Sequence, residues 1–261
     1  MGSRSRPSHG RSSSPWLGQH FLKSPDLAAT LVQRAELAAS DLVVEMGAGS
    51  GMLTEELARS GAKVMAVELD GRLATTLAAR FRTRANVLVI IGDFFELPPA
   101  ADPFRVFGSI PFGATTRTLR HLLNGTTSMR RADLIVQRGV AIKRARRRNL
   151  LNATWGPWWR FEMGKRIPAR CFSPPPSVDA AMLVINKRKS PLLPAGDKRD
   201  FARFVGKAFR AADLRRAMTP YVSSRRLRRV LQALELPPDA RPHELDVSQL
   251  VELFKTARER T

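Results

Sequence analysis

Glu45-Met46-Gly47-Ala48-Gly49-Ser50-Gly51 is the stretch that decides the fold of this chain. The apolar run at residues 42–44 precedes it directly, and a helix-like segment at residues 52–58 follows it. A strand, a glycine turn and a helix in this order let the backbone approach a nucleotide-like ligand closely. Glycine adopts positive φ and places no Cβ against a ligand. Because glycines also occur in strand-to-helix turns that bind no ligand, the neighbouring segments must show whether this turn forms a binding site.

The pattern after residue 41 alternates between strand-like and helical runs. Mostly apolar strands are predicted at residues 42–45, 64–68, 87–91, 105–108 and 134–137. Helical periodicity lies between them at residues 52–60, 72–82 and 115–123. This alternation indicates an α/β fold with a mostly parallel sheet covered on both faces. Two later runs, at 158–167 and 178–186, have no helix between them and predict an antiparallel pair that ends a seven-stranded sheet.

Composition divides the chain into three parts. Residues 1–15 are rich in Ser, Arg, Gly and Pro and predict a flexible basic tail. Residues 16–188 hold the α/β pattern, opened by a helix over residues 24–39 for which Ser24 is the N-cap. A proline-rich linker then leads into residues 189–261, a small all-helical domain. Its helices are predicted at residues 198–210, 223–234 and 247–258.

The charge of the chain points to a polyanionic partner. With 261 residues, of which 43% are hydrophobic, the chain can form a core, but its formal net charge is +21. A folded chain this basic repels itself unless a polyanion screens it, which predicts a nucleic-acid partner. A cationic protein without such a partner is the alternative.

Hydropathy and the cysteine and histidine content limit the cellular location and the cofactors to be expected. No apolar stretch approaches the roughly 18 to 20 residues of a membrane span, and no signal-peptide core is present, so neither a membrane location nor export is expected. The single cysteine, Cys171, cannot form an internal disulfide, which fits the cytoplasm. One cysteine and four scattered histidines offer no metal cluster.

Acidic residues follow the next two predicted strands. Glu68 ends the second strand, where a carboxylate can accept hydrogen bonds from two ribose hydroxyls. Asp93 ends the third and could accept from an adenine amine, with Phe94 packing on the base. An Asp that only caps the following turn is the alternative. Because the carboxyl ends of parallel strands share one edge, these residues and the glycine turn are expected to form one site.

Two aromatic segments could hold a second planar base. Ser109-Ile110-Pro111-Phe112 ends the fourth strand with a short polar side chain, exposed carbonyls and a ring. Phe172 precedes three prolines, whose stiffness would fix a second wall of a base pocket. Oxygen acceptors would hold an exocyclic amine while the rings stack on the base. For each segment, a phenylalanine packed into the core is an equally good interpretation.

Basic residues concentrate in two regions that suit phosphate contact. Six of eleven residues between 138 and 148 are Lys or Arg, and nine between 203 and 229 are, against one acid. Solvated helix faces usually mix signs, so RNA contact is the favoured interpretation. The tryptophans Trp158 and Trp159 are interpreted mainly as core residues. The predicted RNA-binding residues are Lys143, Arg144, Arg146, Arg147, Arg148, Arg210, Arg215 and Arg216.

In this order, the segments resemble the rRNA adenine N6-methyltransferases that use S-adenosylmethionine. The resemblance runs from about residue 17 to the end of the chain, beginning at Gly18-Gln19-His20-Phe21-Leu22. It implies a Rossmann-like methyltransferase domain, with Ser109, Ile110, Pro111, Phe112 and Phe172 as the catalytic residues. It also implies a cofactor site formed by Gln19, His20, Leu22, Glu45, Gly47, Ala48, Gly49, Gly51, Glu68, Leu69, Asp93, Phe94 and Ser109.

Within that superfamily the chain is most similar to the Erm family, which methylates one adenine in the peptidyl-transferase loop of 23S rRNA. The similarity lies in Ile-Pro-Phe at residues 110–112, in Trp158-Trp159-Arg160-Phe161 and in Ser177-Val178-Asp179-Ala180-Ala181. It implies resistance to macrolides, lincosamides and streptogramin B, and a monomer acting on protein-free or partly assembled rRNA. A small-subunit rRNA adenine dimethylase and a catalytically weak RNA-binding relative are the alternatives.

Two residues depart from the family pattern. Ser109 stands where the family has Asn or Asp, and His20 where many relatives have Asn. A hydroxyl reaches less far than an amide oxygen, so Ser109 predicts lower activity or the transfer of only one methyl group.

Overall fold

The computed structural model describes residues 20–98, 102–125, 128–146, 148–237 and 239–259. The predicted basic tail at residues 1–15 lies outside them. Within the described residues the strands are β1 (Phe21–Leu22), β2 (Leu42–Met46), β3 (Lys63–Glu68), β4 (Val87–Ile91), β5 (Phe104–Ser109), β6 (Met129–Gln137), β7 (Trp159–Ile167), β8 (Phe172–Ser173) and β9 (Ala180–Lys187). The α-helices are α1 (Pro25–Gln33), α2 (Met52–Arg59), α3 (Gly71–Phe81), α4 (Thr115–Gly125), α5 (Arg138–Arg146), α6 (Leu150–Trp155), α7 (Lys198–Ala208), α8 (Leu214–Met218), α9 (Ser224–Ala233) and α10 (Val247–Arg258).

Seven strands form one sheet in the order β4-β3-β2-β5-β6-β9-β7. Strands β2 to β6 pair in parallel, and β9 is antiparallel to both of its neighbours. The α/β prediction with a mostly parallel seven-stranded sheet is therefore confirmed. The antiparallel strand β9 lies one place in from the edge rather than at the end of the sheet. Its Ala180 pairs with Gln137 of β6 on one side and with Ile167 of β7 on the other.

Several elements differ from their predicted bounds. Helix α1 ends at Gln33 rather than at residue 39, and Glu36 soon after it adopts a left-handed φ of 52°. Strand β6 begins at Met129, five residues before the predicted start. The prediction began too late because the first half of the strand carries Arg130 and Arg131 and lacks an apolar pattern. Helices α5, α6 and α8 were not predicted. Helix α5 carries four Lys or Arg among its nine residues, and α8 has only five residues.

The two faces of the sheet are covered by different helices. One face packs on α1, α2 and α3 through residues such as Leu31, Leu57 and Leu77. The other face shares a continuous core with α4, α5 and the C-terminal helices. Among the described residues, no helix is both long and apolar enough to cross a bilayer.

Trp158 joins the sheet to the C-terminal helices. It is buried, its ring packs edge-on against Phe201 of α7 at 5.9 Å, and its Nε1 donates to the carbonyl of Leu193 at 2.9 Å. Trp159 is also buried, so the interpretation of both tryptophans as core residues is confirmed. Phe201 also packs against Phe254 of α10 at 5.2 Å, so the two helices and Trp158 share one aromatic cluster.

Candidate active site

A cleft of about 310 Å³ lies at the carboxyl edge of the parallel strands. It draws residues from the ends of β2, β3 and β5, from the turns after β4 and β5, and from the β1 and β8 segments. Ligands of open α/β sheets bind at this edge. The predicted site residues in its lining are His20, Leu22, Gly47, Ala48, Gly49, Glu68, Leu69, Asp93, Phe94, Ser109, Ile110, Pro111, Phe112 and Phe172.

The glycine turn has the backbone that its sequence requires. Gly47, Gly49 and Gly51 have φ values of 70°, 55° and 78°, a region that residues with a side chain rarely adopt. A Cβ on Gly49 would also lie 3.0 Å from the ring of Phe21, which lines the cleft. Gly51 instead faces Leu77 of α3 and is not part of the cleft lining. It therefore shapes the turn rather than a contact surface.

Glu68 is tied to this turn. Its Oε2 accepts from the N–H of Gly49 at 2.7 Å, and its Oε1 accepts from the N–H of Asp70 at 2.9 Å. Each carboxylate oxygen has a second lone pair, so the group can still accept from two hydroxyls of a ligand. The following residue, Leu69, is 70% exposed at the cleft, where an apolar side chain can cover a planar base.

Glu45 lies behind the turn and outside the cleft lining. It is fully buried and accepts from the Thr54 hydroxyl at 2.6 Å, while its Oε1 has no partner in the described part of the chain. Burial raises the pKa of Glu45 to about 8; the bond from Thr54 opposes the rise, and the nearby charge of Glu68 adds to it. Glu45 was predicted to contact a cofactor directly, but its buried carboxyl does not line the cleft. It connects the end of β2 to α2 through the bond from Thr54.

Asp93 has two roles in the structure. Its Oδ1 accepts from the N–H of Phe95 at 2.9 Å and caps the short turn after β4, as the structural alternative expected. Its Oδ2 faces Nη2 of Arg117 at 3.7 Å within the cleft lining. The guanidinium of Arg117 lies 3.9 Å above the ring of Phe95. Sequence reasoning missed Arg117, although its place on α4, directly after the Ser109–Phe112 edge, is a usable signal.

The Ser109–Phe112 edge abuts the glycine turn. The carbonyl of Ser109 lies 3.9 Å from the position that a Cβ on Gly47 would occupy. Ile110 is buried, and its N–H donates to the carbonyl of Ile135 at 3.0 Å, which anchors the edge to β6. The Ser109 side chain and the Phe112 ring are half-buried and line the cleft.

A two-stranded sheet closes one side of the cleft, and sequence reasoning did not find it. Strand β1 pairs with β8, placing Leu22 opposite Phe172. Phe172 is 2% exposed, so it is both a core residue and part of the cleft wall. Beside it, Nδ1 of His20 donates to the carbonyl of Pro174 at 2.7 Å, and the His20 ring lies 5.7 Å from that of Phe112.

The predicted RNA-binding residues are not all available to a partner. Arg144 is half-buried, its Nη1 donates to Asn149 at 2.8 Å, and burial together with Arg120 lowers its pKa. Arg147 lies outside the described residues, and so does Gln19, which was predicted to bind the cofactor. The predicted residues that are exposed are Lys143, Arg146, Arg148, Arg210, Arg215 and Arg216.

Helix α9 adds an arginine face that sequence reasoning counted but did not assign. Arg225, Arg228 and Arg229 are exposed on the side opposite the buried Leu227 and Leu231. Over the ranges that the structure describes, these three arginines have no acidic partner, whereas Arg226 of the same helix pairs with Glu259.

The described residues also contain no group of acidic, histidine or cysteine side chains that could hold a metal.

A sheet of this order, with a glycine turn after its first long strand and acids after the second and the third, is that of the Rossmann-like S-adenosylmethionine-dependent methyltransferases. The residues present suit that cofactor: Glu68 can accept from the ribose, Asp93 from the adenine amine, and Leu69 is exposed beside them. The chain matches the sequence profile of the family described as ribosomal RNA adenine dimethylase over residues 11–258. It belongs to this family.

Individual relatives agree with this assignment. The chain is 36% identical over 196 residues to an rRNA methyltransferase of Streptomyces thermotolerans, a match that covers 74% of this chain and 65% of that protein. It is 32% identical to the mycinamicin-resistance protein MyrB of Micromonospora griseorubida, over 93% of this chain and 78% of MyrB. The crystal structure of the 23S rRNA methyltransferase ErmE superposes with a TM-score of 0.83 at 27% identity, covering 90% of this chain and 98% of ErmE.

Proposed function

We propose that the protein transfers a methyl group from S-adenosylmethionine to N6 of one adenine in the peptidyl-transferase loop of 23S rRNA. We further propose that this methylation confers resistance to macrolides, lincosamides and streptogramin B. The protein would act in the cytoplasm as a monomer, on rRNA that is protein-free or in early assembly. Similarity to MyrB and ErmE supports the target and the resistance.

One observation carries the proposal: a single cleft brings the Gly47–Gly49 turn and Glu68 together with the Ser109–Phe112 edge. The first pair suits a nucleoside-bearing cofactor, and the edge suits an amine on a planar base. The carbonyl of Ser109 lies close to the Gly47 backbone, so the two halves of the site are adjacent. A cofactor held by the turn and a base held by the edge would therefore be neighbours.

The chain's own residues would orient the reaction. When bound, S-adenosylmethionine supplies an electrophilic methyl group. The Ser109 hydroxyl and carbonyl would accept hydrogen bonds from the adenine amine and favour the positive charge that develops on it. Phe112 and Phe172, which both line the cleft, would hold the base in position, and the bound cofactor and base would displace water from it. Positioning and desolvation are sufficient sources of acceleration for such a transfer.

The test is label transfer from S-adenosylmethionine to protein-free large-subunit rRNA, followed by primer extension across the peptidyl-transferase loop. A stop at one adenine is expected. Phe112→Ala should lose most turnover while cofactor binding survives, and Phe161→Ala, on β7 outside the cleft, serves as the matched control. An unchanged rate in Phe112→Ala would contradict the assignment of the base pocket.

Small-subunit rRNA is the second candidate substrate. The chain is 30% identical to ribosomal RNA small subunit methyltransferase A of a Synechococcus strain, over 94% of this chain and 92% of that protein. Label transfer to small-subunit rRNA alone would favour this reaction. Transfer to neither rRNA would favour an RNA-binding relative with little catalysis, which the short side chain at Ser109 makes plausible.

A further inference from the structure

His20 occupies a wall of the cleft that faces the base pocket. Its ring centroid lies 5.7 Å from that of Phe112, with the two planes tilted by 43°. It shares the cleft lining with Ser109 and Phe112. The imidazole is therefore next to the place where the pocket would hold a planar base.

The hydrogen bond to Pro174 determines the tautomer of His20. Its Nδ1 lies 2.7 Å from the carbonyl oxygen of Pro174, and a carbonyl only accepts, so Nδ1 carries the proton. In the neutral ring Nε2 then holds a free lone pair and acts as an acceptor. Within the described residues, Nε2 has no hydrogen-bond partner.

The pocket needs an acceptor of this kind. An exocyclic amine presents two N–H donors, and each needs an acceptor once water is excluded. On the β5 side the available side chain is Ser109, whose hydroxyl has a short reach and can itself donate. Nε2 of His20, which lines the same cleft, can supply the second acceptor.

We infer that Nε2 of His20 accepts a hydrogen bond from the exocyclic amine of the target adenine. The inference rests on the proposed function in taking an adenine as the bound base. Pro174 holds the ring and fixes its tautomer, Ser109 meets the amine from the other side, and Phe112 supports the base between them. His20 would thus help to select a base that carries a 6-amino group.

Isosteric variants distinguish this role from a contact with the β8 segment. Glutamine places its amide near the position of Nε2, whereas asparagine places its amide near that of Nδ1. His20→Gln therefore keeps an acceptor toward the base and loses the bond to Pro174. His20→Asn keeps the bond to Pro174 and loses the acceptor. His243→Gln, an exposed histidine in the C-terminal part, is the matched control.

The probe is a hairpin RNA with one unpaired adenosine, compared with the same hairpin carrying purine riboside, which lacks only the 6-amino group. Binding is measured without cofactor, so the readout does not depend on methyl transfer. The wild type and His20→Gln should bind the adenosine hairpin about tenfold more tightly than the purine hairpin. His20→Asn and His20→Ala should show a much smaller preference, limited to what Ser109 contributes, and Ser109→Asn should increase the preference in the His20→Ala background.

Four results would overturn the inference: no preference in the wild type, a preference in His20→Ala as large as in the wild type, a preference kept by His20→Asn and lost in His20→Gln, or a loss confined to S-adenosylmethionine affinity. Failure of the proposed function has a different signature. In that case the wild type transfers no methyl group to any rRNA, while the preference for adenosine over purine can still be present and still depend on His20.

Discussion

The N–H of Gly49 donates a 2.7 Å hydrogen bond to Oε2 of Glu68, which couples the glycine turn to the acid at the end of β3. The other oxygen of Glu68 is held by the N–H of Asp70 at 2.9 Å. The carboxylate is therefore fixed before a ligand arrives, and Glu68 is part of the cleft lining. Fixed acceptors lose little freedom on binding, which favours affinity.

Glu68→Gln should weaken the binding of S-adenosylmethionine. An amide has one oxygen, so its NH₂ group must face the N–H of either Gly49 or Asp70. That NH₂ group cannot accept from a ribose hydroxyl, and because a hydrogen bond to a charged group contributes about 1.5–3 kcal/mol, we expect the dissociation constant to rise about 10- to 100-fold. Isothermal titration calorimetry measures this, with the exposed Glu252→Gln as control. Unchanged affinity in Glu68→Gln would contradict the assigned role.

Gly49→Ala should weaken cofactor binding by about 10- to 100-fold while the fold survives. The φ of 55° is unfavourable for alanine, and the new Cβ would lie 3.0 Å from the Phe21 ring in the cleft wall. Strain of about 1–3 kcal/mol is expected at this position. Gly71→Ala, at the start of α3 with no atom within 4 Å of its Cβ, should have no effect on binding. Equal affinities for the two variants, measured by calorimetry, would show that Gly49 is not required at the site.

Glu45 should make stability depend on pH. Its pKa is about 8 in the folded protein and 4.5 when unperturbed, so between these values the folded state holds a proton that the unfolded state has lost. The free energy of unfolding therefore falls as pH rises through this window, by at most about 1.4 kcal/mol per pH unit. Glu45→Gln can keep the bond from Thr54 and removes the titration.

Urea unfolding of both proteins between about pH 5 and about pH 8 measures this effect. The wild type should lose stability relative to Glu45→Gln as the pH increases. Glu162→Gln, at an exposed position of β7, should keep the wild-type slope. Parallel curves for the wild type and Glu45→Gln would mean that the buried carboxyl does not titrate in this range.

Local patterns predicted the sheet and most of the cleft, and long-range contacts account for what they missed. The strands that carry Glu68, Asp93 and Ser109 are short apolar runs, and parallel strands bring their carboxyl ends to one edge. The bond between His20 and Pro174 joins residues 154 positions apart, and no local pattern encodes it. Arg117 follows the Ser109–Phe112 edge, which is a local signal, but its contacts with Asp93 and with the ring of Phe95 arise only from the fold.

The outer face of α9 should bind RNA through phosphate contacts. Arg228 and Arg229 are exposed and lack acidic partners in the described residues, so both charges are free to neutralise phosphates. The double variant Arg228→Gln/Arg229→Gln should weaken rRNA binding and reduce the salt dependence of log Kd by about 1.4 to 1.8, since each lost contact removes about 0.7–0.9 from the slope. Filter binding across a salt series measures both quantities.

A double variant of residues whose charges are already paired provides the control. Arg203 lies 3.6 Å from Asp200, and Arg258 pairs with Asp197 at 2.5 Å. Because each charge already has an acidic partner, either arginine would neutralise RNA phosphates less than Arg228 or Arg229. Arg203→Gln/Arg258→Gln removes the same net charge and should change the slope less. If the two double variants weaken binding and flatten the slope equally, the effect comes from net charge, and α9 has no specific contact with RNA.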